Sequence, residues 1–297
     1  MGQELPELIA TVDIENELGE GVVWNEQTAS VWWTDIERSK LFEYRYRSGR
    51  LNRWDTPYRV GCFGFIENDD RLIVAFDCGI ALLDLTNGNI DWLYGPNVLA
   101  DGLRFNDGKI DPFGRFWAGT MVEDPSVANE SGSLFSIGPH QAPIEHISDI
   151  TTSNGLCWSF DGLVMYHADS SRQTIWRYRY DPVQNLLSDK KIFAKLGKGM
   201  FPDGSTVDSD GGVWNAQWGG SQIVRYREDG EQSLVLKVPV DLPSCVAFGG
   251  EDLDLLFVTS ARVALSKERL MKRPKSGSLL IYKTNFKGLP ANRLKLL

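Results

Sequence analysis

Short apolar runs punctuated by polar turns recur along the whole chain. Six stretches share one form, a turn with Asn, Asp or Gly followed by a strand-like apolar segment: "NEQTASVWWTDI", "ENDDRLIVAFDCGI", "DPFGRFWAGTM", "SFDGLVMYHADS", "DSDGGVWNAQWGG" and "GGEDLDLLFVTSA". With Trp33, Val74, Trp117, Tyr166, Trp214 and Phe257 as equivalent anchors, the successive spacings are 41, 43, 49, 48 and 43 residues. Each anchor is followed by a second segment that alternates apolar and polar positions or nearly so ("KLFEYRY", "GIALLDL", "GSLFSI", "TIWRYRY", "QIVRYRE", "GSLLIYK"), as half-buried strands do. A period of this length built from short strands and turns is that of a β-propeller blade. The pattern predicts an all-β fold, a six-bladed β-propeller with four antiparallel strands per blade, in which residues 1–297 form a single domain. It contains no long amphipathic helix. "DGLRFNDG" and "DPVQNLLSDKK" read as loops, and Asn154-Gly155 and Asp203-Gly204 read as turn dipeptides. The strand near "IATVDI" is expected to pair with the last blade, because an open ring would leave a sheet edge exposed.

Composition narrows the partners. A hydrophobic fraction of 42% with 11% aromatics supplies a core, so the chain is globular. Its 40 acidic and 31 basic side chains give a net charge of −9, which disfavours a nucleic-acid backbone as partner. Cys62, Cys78, Cys157 and Cys245 lie far apart with no metal-type spacing, and are expected to be reduced. The first residues lack the basic and apolar regions of a signal peptide, and no apolar run approaches the roughly 20 residues of a membrane helix. The expectation is a soluble, cytoplasmic monomer.

Several chemistries are missing from the sequence. There is no G-x-S-x-G, H-E-x-x-H or phosphate-binding G-x-x-x-x-G-K-[ST] motif. The three histidines, His140, His146 and His167, are too few for a histidine-rich zinc site, and His167 reads as a packed histidine. What remains is oxygen chemistry: Glu20 in "LGEGVVW", Asn154 in "TSNGL", Asp203 in "FPDGS", and Arg104, Asn106 and Asp107 in "LRFNDG". Each has an ordinary turn or surface role open to it. As a set, Glu20, Asn154 and Asp203 have the hard-donor character suited to Ca²⁺, Mg²⁺, Mn²⁺ or Zn²⁺.

At these residues the sequence resembles the senescence-marker-protein/gluconolactonase (regucalcin-like) family. "LGEGVVW", "RFNDGKIDPFGRFWAGTM", "SNGLCWSFDG", "FPDGSTVDSDGGVWNAQWGG" and "PSCVAFGGEDLDLLFVTSA" occur in family order at family-like distances. The resemblance covers nearly the whole chain and implies the same six-bladed fold. It also implies that Glu20, Asn154 and Asp203 bind one divalent metal (Ca, Zn, Mn or Mg) at the mouth of the channel. Arg104 and Asn106 would contact the substrate, with Glu123 as a further contact and Asp203 as catalytic base. The reaction implied is hydrolysis of a small-molecule sugar lactone. Two departures from the family pattern, Val22 where proline is common and Cys157 where many members carry Asp, fall outside the implied ligands. Two other readings compete: a hydrolase of other lactones or esters, and a non-enzymatic propeller that binds calcium or serves as a scaffold.

Overall fold

The computed structural model describes residues 4–138 and 142–296, and His140 lies outside them. Six four-stranded antiparallel sheets stand around a central channel. Listed from the channel outward, blade 1 comprises Gly19–Asn25, Ser30–Asp35, Lys40–Arg45 and Arg50–Asp55. Blade 2 comprises Val60–Ile66, Asp69–Phe76, Gly79–Leu83 and Ile90–Tyr94, and blade 3 Leu103–Ile110, Phe116–Val122, Gly132–Ile137 and Ile144–Ile150. Blade 4 comprises Ser153–Trp158, Val164–Asp169, Thr174–Asp181 and Leu186–Lys195, and blade 5 Phe201–Val207, Val213–Trp218, Gln222–Tyr226 and Gln232–Lys237. Blade 6 takes Pro243–Gly249, Leu255–Ser260 and Leu279–Lys283 from the end of the chain and borrows its outer strand, Glu7–Val12, from the beginning.

All six anchors lie in the second strands, and all six alternating segments form the third. The "IATVDI" strand closes the ring as expected, pairing Glu7 with Lys283 and Val12 with Leu279. Two segments read as loops are strands instead. "LRFNDG" belongs to the inner strand of blade 3, and "LLSDKK" to the outer strand of blade 4. Both were hidden for a physical reason: an inner strand facing a polar channel and an outer strand facing solvent carry few apolar side chains, so neither shows the periodicity of a half-buried strand.

The core consists of six wedges between neighbouring blades. One packs Trp214 and Ile223 of blade 5 against Val246 and Leu256 of blade 6. Another sets Trp117 of blade 3 against Trp158 and Met165 of blade 4. Trp33, Trp117 and Trp214 are fully buried. The "DPFGRFW" and "DSDGGVW" turns repeat one device. Asp111 accepts the backbone N–H groups of Phe113 and Arg115 and the Trp117 indole N–H. Asp208 likewise accepts those of Asp210 and Gly212 and the Trp214 indole N–H, and it also pairs with Arg225. These carboxylates tie each turn to its wedge. The four cysteines form no disulfide. Among the described residues, no helix is long and apolar enough to cross a membrane.

Candidate active site

The inner strands are irregular at one level of the channel. Pairing register shifts between Glu20 and Val23, Val60 and Cys62, Phe105 and Gly108, Asn154 and Cys157, Pro202 and Ser205, and Pro243 and Val246. Each shift is a bulge, which bends a strand and re-aims its side chains. The Asn-Gly pair is thus part of a bulged inner strand and not the turn expected from its sequence. Gly155 takes φ 65°, a left-handed conformation that glycine adopts without steric cost. Gly21, beside Glu20, does the same at φ 61°. Asp203-Gly204 likewise lies within a strand.

The bulges bring the sequence-predicted residues together. Glu20, Asn154, Asp203, Arg104 and Asn106 are all buried although polar. Glu20 and Asp203, from blades 1 and 5, are near enough for the charge of Glu20 to bear on the Asp203 carboxyl. Asn106 Nδ2 donates to Asn154 Oδ1 at 3.0 Å and to the Ser153 carbonyl at 2.9 Å. Asn154 Nδ2 donates to Ser170 Oγ at 2.8 Å, and that hydroxyl donates to the carbonyl of Pro202, the neighbour of Asp203. Arg104 Nη1 donates to Asn106 Oδ1 at 2.8 Å, and its Nε to Glu123 Oε1 at 2.9 Å. Glu123 is further from the axis and partly exposed, and Arg59 holds it with two hydrogen bonds of 2.6 and 2.8 Å.

Electrostatics set this region apart. Burial pushes the Glu20 carboxyl up to about 8, the charge of Asp107 adds to the shift, and the Gly21 N–H opposes it. Burial, then the charges of Glu20 and Asp107, hold Asp203 well above the usual carboxylate range. Burial raises Asp107 as well, although its carboxylate accepts the N–H groups of Gly108 and Leu156. Like charges crowded in a low-dielectric channel are a standing cost that a cation removes. Among the described residues, no three His, Cys, Asp or Glu side chains come together in a metal-ligand cluster. A cation here would therefore take its third protein oxygen from an amide. Asn154 Oδ1 suits that role, since it has accepted one hydrogen bond and keeps a second lone pair. Two carboxylates and an amide oxygen form a hard, all-oxygen set that fits a divalent cation.

Several contributors were not singled out from the sequence. Asp107, to which its sequence context gives no specific role, links blades 3 and 4 at the channel wall. Lys109, three residues after Asn106, donates to the Ser205 carbonyl across the channel. Arg59, Asp77 and Ser170 carry no local motif, and only the ring brings them to the mouth. His167 is a packed histidine as expected, bonded to Ser153 Oγ at 2.9 Å and pushed down to about 3 by burial. A separate cavity of about 320 Å³ lies toward the other end of the channel, lined by Trp24, Phe63, Trp158 and Lys109 and closed by Leu289–Asn292. None of the five converging polar residues lines it.

Comparison with known proteins agrees with the six-bladed fold. A family model described as "SMP-30/Gluconolactonase/LRE-like region" matches residues 18–262. The chain is 36% identical over 277 residues to a 6-deoxy-6-sulfogluconolactonase of Pseudomonas putida, covering 91% of this chain and 92% of that one. It is 33% identical over 285 residues to an L-arabinolactonase of Azospirillum brasilense, covering 95% and 93%. A crystal structure of regucalcin from Agrobacterium tumefaciens, described as a calcium-binding protein, superposes with a TM-score of 0.89 at 28% identity over 97% of both chains.

Proposed function

Because the chain belongs to the SMP-30/gluconolactonase/LRE-like family, we propose that it is a sugar lactonase that opens an aldonolactone to the aldonic acid, with Glu20, Asn154 and Asp203 holding one divalent cation. The observation that carries this reading is the convergence of two carboxyls raised by burial and an amide with a buried Arg104–Asn106 pair at one channel mouth. Relatives named as lactonases for two different sugars support the substrate class.

A lactone carbonyl is already electrophilic, so no covalent nucleophile is required. When bound, a divalent cation supplies Lewis-acid polarisation of the carbonyl and lowers the pKa of a nearby water. Asp203, ionised at the outset, takes the proton from the attacking water and gives it to the ring oxygen as the acyl C–O bond of the ring breaks, leaving the open-chain acid with a free hydroxyl. Arg104 is preorganised by Glu123 and Asn106, and it faces the charge that develops on the former carbonyl oxygen. Asn106 orients the substrate hydroxyls, and Glu123 accepts from them at the rim. A purely calcium-binding role does not account for Arg104, a buried cation next to a cation site that contributes nothing to cation affinity.

The test is hydrolysis of a panel of pentono- and hexonolactones by chelated protein, with and without added Ca²⁺, Zn²⁺, Mn²⁺ or Mg²⁺. Turnover restored by metal is expected. Asp203→Ala should lose both metal binding and activity, by on the order of a hundredfold or more in kcat. Arg104→Ala should lower kcat/KM by about a hundredfold, and Asn106→Ala should act mainly on KM. Undiminished turnover by metal-free Asp203→Ala would remove the assignment. If lactones fail and simple esters are hydrolysed, the wider ester-hydrolase reading takes its place.

A further inference from the structure

Beside Arg104, a second cavity of about 550 Å³ is lined by Tyr58, Arg59, Asp77, Asn97 and Asp101. Arg104 belongs to both this cavity and the central site, since its Nη1 reaches Asn106 and through it Asn154. The polar groups here are incompletely used. Asp77 Oδ2 accepts from Arg59 Nε at 2.9 Å, whereas the buried Asp77 Oδ1 has no partner among the described residues. Arg59 spends one N–H on Asp77 and two on Glu123, which leaves two of its five N–H groups. An unfilled acceptor beside spare donors suits hydroxyl groups, each of which gives one hydrogen bond and accepts others.

Charge then decides which lactones can use the cavity. Asp77 and Asp101 line it, Glu123 and Glu37 lie against Arg59, and among the described residues that line it Arg59 and Arg104 are the cations that oppose them. Four carboxylates surround two guanidinium groups that are already paired.

Building on the lactonase reading, we propose that this cavity is the subsite for the hydroxylated tail of a neutral sugar lactone, with Asp77 and Arg59 as specificity-determining residues, and that it discriminates against lactones with an anionic group on the terminal carbon. The Pseudomonas relative, by contrast, is named for a sulfonated lactone. A sulfonate or phosphate would meet carboxylates that outnumber the two guanidinium groups, where a hydroxyl finds donors and acceptors, and like charges at short range are costly.

The experiment compares kcat/KM for D-glucono-1,5-lactone and its 6-phosphate with the wild-type protein supplied with a divalent cation. The neutral lactone is expected to be favoured by about tenfold or more. Added salt should narrow the gap, as screening of the surrounding charges requires. Asp77→Asn removes one carboxylate charge and should narrow it too, through a gain on the phosphate and a raised KM for the neutral lactone. Equal or faster hydrolysis of the 6-phosphate by wild type overturns the subsite while leaving the lactonase reading in place. Hydrolysis of no lactone at all overturns that reading and the subsite with it. The wild-type ratio is decisive whether or not the variant folds.

Discussion

With Glu20 and Asp203 as the proposed cation ligands, the protein's stability and its affinity for a cation should answer to pH in opposite directions. Burial raises the Glu20 carboxyl from 4.5 to about 8 in the folded protein. A group that binds its proton more tightly when folded stabilises the fold below its unfolded pKa, and that contribution is lost as pH rises through the folded pKa. Chelated protein should therefore show a Tm that falls between about pH 4.5 and about 8. Glu20→Gln, which cannot ionise, should flatten that part of the profile in thermal scans. A divalent cation needs both carboxylates ionised, so binding must expel protons, and affinity should climb over the same pH range. Calorimetry in buffers of different ionisation enthalpy would register the released protons. Binding with no proton release at pH 7 would show that the cation does not engage these two carboxyls.

At the scale of the strand, the bulge determines where a side chain is aimed. Gly155 holds φ at 65°, and a Cβ placed there would lie 3.1 Å from the Asp203 carbonyl, from Ser205 Oγ and from the Ala168 methyl. Gly155→Ala would combine left-handed strain with three tight contacts, for a cost of about 1–3 kcal/mol. Because the Asp203 carbonyl is one of those contacts, the substitution should also weaken cation binding more than its stability loss alone explains. A titration well below the unfolding transition of the variant, where it is fully folded, would separate the two effects. This is also where sequence legibility ended. The second and third strands were legible as short apolar runs because they bury both faces, one in the wedge on either side, as neighbouring Trp32 and Trp33 do. The inner strands invert that logic. "LRFNDGKI", "SNGLCW" and "FPDGSTV" turn buried polar side chains toward a channel, and glycines in two of their bulges resemble turns. The residue types of Glu20, Asn154, Asp203, Arg104 and Asn106 could be singled out from motifs. Arg59 and Asp77 could not, because nothing local in "PYRVG" or "AFDCG" indicates that the ring will set them beside Arg104.

Around the whole ring, the site depends on closure. Glu20 lies on blade 1, which is first in the chain, and Asp203 on blade 5, with blade 6 between them. Blade 6 is completed only when Glu7–Val12 pairs with Leu279–Lys283. Further ties cross the same junction. Asn16 Nδ2 donates to the Gly277 carbonyl at 2.8 Å, Leu18 bridges to Ala261, and Ser244 Oγ donates to the Gly19 carbonyl. Ala10, Val12 and Ile14 also cover the wedge between blades 6 and 1. Deleting the strand would uncover that wedge and leave Leu279–Lys283 as a free edge able to pair with another molecule. A loss of several kcal/mol is expected, against a total of about 5–15 kcal/mol for a typical fold. The consequence specific to this ring concerns the cation, since a loosened junction lets Glu20 drift from Asp203 while the blade 3–4 pair Asn106–Asn154 stays intact. A protein lacking residues 4–13 should therefore lose cation affinity before it loses its β-sheet circular dichroism. Cation binding at full affinity in that variant would show that blades 1 and 5 are held in place without the closing strand.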